Sequence, residues 1–321
     1  MRLALGLLCL LPIMAASGAL AQSYPSKPVR IIVPFGAGST LDIMARVISP
    51  KLSEALGQQF IVENRPGAGG AIGLDATAKA PKDGYTLAIG ATGPLAINPG
   101  LDPRLPWDPV RDFTPITQVA LGPLILVTHA AVPARTLKEL VALAKARPGK
   151  LTYGSPGIGS SNHLAGELLG ITAGIKIVHV PYKGNAEALT DLLGGQIDMV
   201  ITGVPPVLSH VQSGKLRAIV NTGPKRSPTM PQLPTVSESG LPGAEVNVWY
   251  GFVAPAGTPR DIVIRLNTAI VKIVGSPEIS ERFASLGAEP VTNTPEDFAK
   301  LVRNDVAKWA MVIKQQGIKL E

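Results

Sequence analysis

The chain has 321 residues, of which 45% are hydrophobic and 17% charged, with one cysteine and a net charge of +7. This is the composition of a packed globular chain and excludes collagen-like, disulfide-stapled and compositionally disordered classes. The basic residues are spread along the sequence with no block of about five like charges, so nothing marks a nucleic-acid stripe, and the mild positive field either favours small anions or serves only solubility.

In chain order, Arg2 gives a positive start, 3–14 form an apolar core, and Ala19-Leu20-Ala21 is a small-x-small cleavage site. Residues 1–21 therefore read as a secretory signal peptide cut after Ala21. The apolar run is shorter than the roughly 20 residues needed to cross a bilayer. Cys9 would leave with the signal, and Leu8 before it disfavours lipid anchoring. The mature chain then lacks a cysteine for a disulfide, a thiolate nucleophile or a metal site. A soluble periplasmic protein is expected. Its roughly 300 residues are more than one core usually supports, which makes two lobes the prior.

Residues 29–34 read as an apolar run suited to a parallel strand covered on both faces. Leu41, Met44, Ala45, Ile48, Leu52 and Leu56 follow at helical spacing. Strands are expected at 59–62 and 85–89, with a helix at 71–79 between them; repetition of this unit argues a doubly wound α/β lobe. A Pro-rich connection leads to strands at 114–119 and 124–128. A second series then alternates helices (137–146, 162–169, 186–193, 205–212) with strands (150–153, 175–180, 197–201, 216–220). The four prolines of 224–234 mark a long surface loop. Strand 246–255 returns the chain to the first lobe, and helices at 260–274, 277–286 and 295–316 end it. The division expected is 22–122 plus 251–321 for lobe 1 and 123–250 for lobe 2, each lobe a doubly wound sheet flanked by helices. The apolar stripe Phe298, Leu301, Val302, Trp309 and Val312 reads as core packing.

Two segments carry the chemistry. The first strand runs into Phe35-Gly36-Ala37-Gly38-Ser39-Thr40, where glycine lets the backbone bend around a ligand. Ser39 with Asp42 three residues on forms a capping pattern, and the N–H groups of the helix start then face the space beyond the strand. This is either an anion cradle or an ordinary capped βα turn. GK[ST] is missing, so it is no P-loop, and Leu41 replaces the last glycine of a dinucleotide fingerprint. Residues 154–163 repeat the logic, with Ser160 or Ser161 able to cap the next helix beside Ser155, Gly157 and His163. In 180–185, Tyr182 can line a cleft and Lys183 can attract a carboxylate or lie solvated. Thr92 sits at a C-terminal strand end, where open α/β sheets bind ligands, whereas Trp249 and Tyr250 are expected to pack at the lobe junction.

The chain resembles the extracytoplasmic solute receptors of tripartite tricarboxylate transporters, the Bug or TctC family. The resemblance rests on Tyr24-Pro25 with Lys27-Pro28-Val29, Val33-Pro34-Phe35 with Gly38 and Asp42, 62–70 (VENRPGAGG), 81–86, Asn98-Pro99, 153–163, 180–184 and 249–255 in this order. It implies a two-lobed periplasmic binding protein (type II-like) whose interlobe cleft holds a carboxylated solute through loop backbone groups and bridging waters. It also implies delivery to a permease with one large and one small integral subunit. Family loops commonly read G-G-x-T-D; here Ser39 and Leu41 depart, so a hydroxyl contact at 41 is lost and the solute cannot be copied from a relative.

The site expected is a clamp of Phe35, Gly36, Ala37, Gly38, Ser39, Thr40 and Asp42 against Ser155, Gly157, Ser160, Ser161 and His163, with Thr92 and Tyr182 shaping the rest. Asp42 is expected to cap or to accept from an amine, not to touch an anion. The expected ligand is a di- or tricarboxylate, an aromatic acid or an amino acid. A monomer without cofactor or metal is expected, since His129, His163, His179 and His210 are too scattered for a metal motif. The alternative is a secreted hydrolase using Ser161 and His163, although no G-x-S-x-G elbow is present.

Overall fold

The computed structural model describes residues 24–318; the expected signal peptide and Cys9 lie outside the described residues. Strands β1 (Val29–Val33), β2 (Phe60–Asn64) and β3 (Thr86–Ala91) alternate with α1 (Thr40–Leu56) and α2 (Ala71–Ala78). A π-turn over Gly93–Ile97 and the short α3 (Asn98–Leu101) lead to β4 (Phe113–His129). The second series is α4 (Leu137–Ala146), β5 (Thr152–Ser155), α5 (Ser161–Ala173), β6 (Val178–Pro181), α6 (Asn185–Leu193), β7 (Met199–Gly203), α7 (Leu208–Gln212) and β8 (Leu216–Asn221). β9 (Asn247–Pro255), α8 (Arg260–Val274), α9 (Pro277–Ser285), β10 (Glu289–Pro290) and α10 (Pro295–Gln316) complete it.

The strand order is β2-β1-β3-β9-β4-β7-β5-β6, with β8 and β10 also paired to β4. β1, β2 and β3 are mutually parallel, as are β5, β6 and β7, while β9 and β4 are antiparallel insertions. This is the expected α/β fold of two curled, helix-flanked sheets. The run read as continuously apolar is broken by Arg30, which points outward and donates to Thr86 Oγ1.

The two strands expected at 114–119 and 124–128 are one. Residues 113–123 of β4 pair with β9, and 124–129 pair with β7 and β8. Gly122-Pro123 looks like a turn, but the chain stays extended there and only its partners change. Thr222 staples this crossing: its Oγ1 accepts from Leu124 N–H and donates to Val246 O. The 250/251 boundary falls inside β9, whose residues 247–255 pair only with β3 and β4.

Packing follows the period of two. On β4, Leu124 and Leu126 join one apolar cluster, while Ile125 and Val127 join another with Ala188 and Leu192 of α6. The larger cluster runs from β1, β3 and α1 through to Leu140 of α4 and Leu164 of α5. The second series therefore shares its core with the first on one face. The 224–234 loop sends Met230 and Leu233 into the smaller cluster. The α10 stripe is core, with Phe298 edge-on to Trp249 at 5.3 Å.

Candidate functional site

β1 and β5 each end in a glycine loop followed by a capped helix. Ser39 Oγ accepts from Asp42 N–H, and Ser160 Oγ accepts from His163 N–H, both at 3.2 Å. α6 begins after Gly184, which offers no side-chain cap. In each helix the first N–H groups have no acceptor within the helix.

These three helix starts meet at one small, partly open cavity of about 20 Å³. Its wall contains Thr40 and Leu41 from α1, Ser161 and Asn162 from α5, and Asn185 from α6. Phe35, Ala91, Pro94, Leu124 and Val248 make the apolar side, and Pro156, Gly203 and Tyr250 close it. Three positive dipole ends aimed at one small volume form a focus for negative charge. Two buried polar atoms on opposite sides, Thr40 Oγ1 and Asn185 Oδ1, have no partner at full hydrogen-bond distance, the Tyr250 hydroxyl being the polar group that interacts with Thr40. An amide can turn its NH₂ inward at little cost, so Asn185 and Thr40 can each donate to an anion placed between them.

The jaws are closed on one another. Gly36 and Gly184 meet backbone to backbone: a Cβ on Gly184 would lie 3.4 Å from Gly36 N. Two further approaches need glycine outright. A Cβ on Gly93 would overlap the backbone N of Ser161, and one on Gly203 would overlap Thr40 Oγ1.

Of the residues expected from sequence, Phe35, Thr40 and Ser161 face the cavity. Gly36 sits at the Gly184 contact, with Ala37 and Gly38 on the exposed rim. Ser39 and Ser160 are caps. Thr92 Oγ1 accepts from Trp249 N–H at 2.9 Å, tying β9 to the end of β3. Gly157 and Tyr182 line a wider outer groove of about 510 Å³, and the Tyr182 hydroxyl donates to Asp191 at 2.8 Å. Burial, helped by Asp191, pushes that hydroxyl up to about 12. Ser155 and His163 lie behind the wall with His179, where Ser155 Oγ is 2.7 Å from His179 Nε2.

Asp42 anchors the first loop by accepting from Gly38 N–H, Arg46 Nε and Asn64 Nδ2 at 2.9–3.0 Å. Burial alone would push its carboxyl up, but these bonds outweigh burial and hold it below the usual carboxylate range. A depressed folded pKa stabilises above the unfolded value of about 3.9, and that stability is lost as pH falls through the folded value. Asp42→Asn should therefore cost more stability at pH 6 than at pH 3. Urea midpoints of both proteins at the two pH values check this; equal costs would remove Asp42 from the linkage.

Sequence reading missed Asn162, Asn185, Gly203 and Tyr250. Tyr250 was detectable: neighbours on a strand point to opposite faces, so although both are buried in the larger apolar cluster, only one of the pair can face the cavity. Trp249 takes the core side, and its Nε1 donates to Asp305; Tyr250 takes the cavity. Asn185 was marked by Gly184 and the helix that follows. Gly203 had no local signal, because its partner Thr40 is remote in sequence.

Two helix-flanked sheets sharing crossing strands, with a polar cavity between helix N-termini of both, define a two-lobed solute-binding protein. The chain belongs to the TctC family: residues 44–318 match the model described as tripartite tricarboxylate transporter family receptor. It is 40% identical to protein BugT of Bordetella pertussis over 302 residues, covering 94% of this chain and 93% of BugT. The periplasmic binding protein BugD superposes with a TM-score of 0.89 at 35% identity, over 93% of this chain and all (100%) of BugD. An R. palustris protein solved with adipate gives 0.89 at 38% identity, over 92% and 99% of the two chains. MatC from Rhodopseudomonas palustris, with bound malate, gives 0.87 at 31% identity, over 90% and 100%.

Proposed function

We propose that this protein is exported to the periplasm by residues 1–21, captures a small carboxylated solute between its lobes and hands it to a two-subunit membrane permease. It acts as a monomer and as a receptor, without turnover. The observation that carries this reading is the meeting of the α1, α5 and α6 N-termini at a cavity where Thr40 Oγ1 and Asn185 Oδ1 have no partner at full hydrogen-bond distance. The relatives solved with adipate and malate support a carboxylate as occupant.

A cavity of about 20 Å³ has room for about one water. A dicarboxylate therefore enters with the jaws apart, turning about the crossing at 122–124 and 246–247. One lobe is taken as 24–122 with 247–318, since β9 pairs only with β3 and β4. Reclosure places the carboxylate among N–H groups already oriented by their helices. It also excludes water, which strengthens charge-assisted hydrogen bonds.

The hydrolase alternative gains nothing from the geometry. His163 accepts from Gly159 N–H through Nδ1 and lies tilted against His179 instead of meeting Ser161 Oγ. The serine that does meet a histidine, Ser155, is fully buried. Calorimetric titration with adipate, malate, citrate, benzoate and glutamate is expected to give saturable binding with at least one. Ser161→Ala should weaken it, and ester turnover should be absent. Stabilisation by neutral sugars and by no carboxylate would sink the reading.

A further inference from the structure

We propose that His179 is a positioning residue for the second jaw: through Ser155 it fixes the Pro156–Gly157 turn that walls the cavity. Ser155 is 0% exposed, and its Oγ is the hub. It lies 2.7 Å from His179 Nε2 and 3.2 Å from both N and O of Gly157. One hydroxyl proton cannot serve both acceptors. With the proton given to Nε2, the Oγ accepts from Gly157 N–H and His179 carries its own proton on Nδ1; the other tautomer reverses the chain. In either case His179 orders the hydroxyl that orders the turn. Gly157 sits at φ 113°, in the left-handed region, and abuts Gly69 of the opposite jaw. Pro156 faces the cavity.

The imidazole is itself held between rings. Tyr153 stacks on it at 4.9 Å and His163 lies tilted against it at 4.4 Å. His163 Nδ1 in turn takes the Gly159 N–H at 3.4 Å. The titratable groups facing the pair are Tyr153, whose hydroxyl donates to Glu167, and Glu167 itself, 4.0 Å from His163 Nε2. Burial holds both imidazoles neutral, down to about 4 for His163 and, with His163 adding to it, about 3 for His179. The rings therefore serve as neutral hydrogen-bonding props. None of the three lines the cavity, so their effect on a ligand passes through the loop.

This inference deepens the carboxylate-clamp reading and rests on it only for affinity. The test compares His179→Leu with His179→Gln, whose amide keeps a hydrogen-bonding group within reach of Ser155. Amide hydrogen exchange of the unliganded full chain is measured together with calorimetric affinity for adipate and malate. In His179→Leu, amides 157–159 should exchange at least tenfold faster while those of β5 and α5 hold their wild-type rates. Affinity should fall about tenfold, and His179→Gln should restore both to within about threefold. Unchanged exchange at 157–159, a parallel rise in β5 and α5, or no rescue by Gln would each overturn the proposal. Should His179→Leu not fold, Ser155→Ala carries the same expectations. If wild type binds neither acid, the clamp reading loses its support, and the exchange result alone decides the role of His179.

Discussion

Gly93→Ala is expected to weaken carboxylate binding by tenfold or more while leaving the unliganded protein as stable as wild type or more so. Gly93 has no left-handed backbone angle to defend, and it begins a helical turn, where alanine is favoured over glycine by up to about 1 kcal/mol. Its own lobe should therefore welcome the methyl. The obstacle lies across the cleft, where the added Cβ would overlap Ser161 N and lie 2.8 Å from Ser161 Oγ. Backbone at a capped helix start cannot give way as a flexible side chain can. The variant should hold the jaws apart, and a tenfold loss corresponds to about 1.4 kcal/mol. Calorimetry and thermal melts separate the two effects. Unchanged affinity would mean that the seam seen here is not the ligand-bound arrangement, and a matching loss of stability would reduce Gly93 to a packing residue.

Thr40→Val should show the opposite signs for stability and binding even more plainly. Thr40 is buried, with no partner for Oγ1 at full hydrogen-bond distance and only the Tyr250 hydroxyl interacting with it, and a poorly met buried polar group costs about 1–3 kcal/mol. Replacing the hydroxyl by a methyl of the same shape should recover roughly 1 kcal/mol, raising the melting temperature by about 2 °C. The same change removes a donor to the carboxylate, and hydrogen bonds to charged groups are worth about 1.5–3 kcal/mol. The affinity loss is thus about tenfold to a hundredfold. Asn185→Leu, which removes the orphan amide of the facing jaw, should behave alike. A variant that loses stability as well would show that the hydroxyl has a structural partner, and one that keeps full affinity would place the ligand elsewhere.

The fold was largely legible because its signals are local. Helices 137–146, 260–274 and 295–316 match their expected bounds to the residue, and the structure shows why the ends are sharp: Thr136 and Thr294 cap two of them, and Pro259 and Pro295 stand at the starts. The errors fall where tertiary pairing overrides a local cue. Gly122-Pro123 reads as a turn, yet the strand continues because β9 pairs one side of it and β7 and β8 the other. The candidate site was legible as two capped glycine loops. Its third helix start, at Asn185, lacks a side-chain cap and so announced itself less. Closure contacts such as Thr40 with Gly203 join residues remote in the chain, and no spacing rule encodes them.

The continuity of β4 bears on how such a molecule can be taken apart. A single 17-residue strand belongs to both sheets, so the lobes are not beads on a string. Severing the chain at 122 would leave β9 on one fragment and both its neighbours, β3 and the first part of β4, on the other, exposing raw sheet edges of the kind that recruit other chains. Neither half is an exchangeable module, whereas the loops at the cleft can change, and with them the cargo, without touching the shared strand.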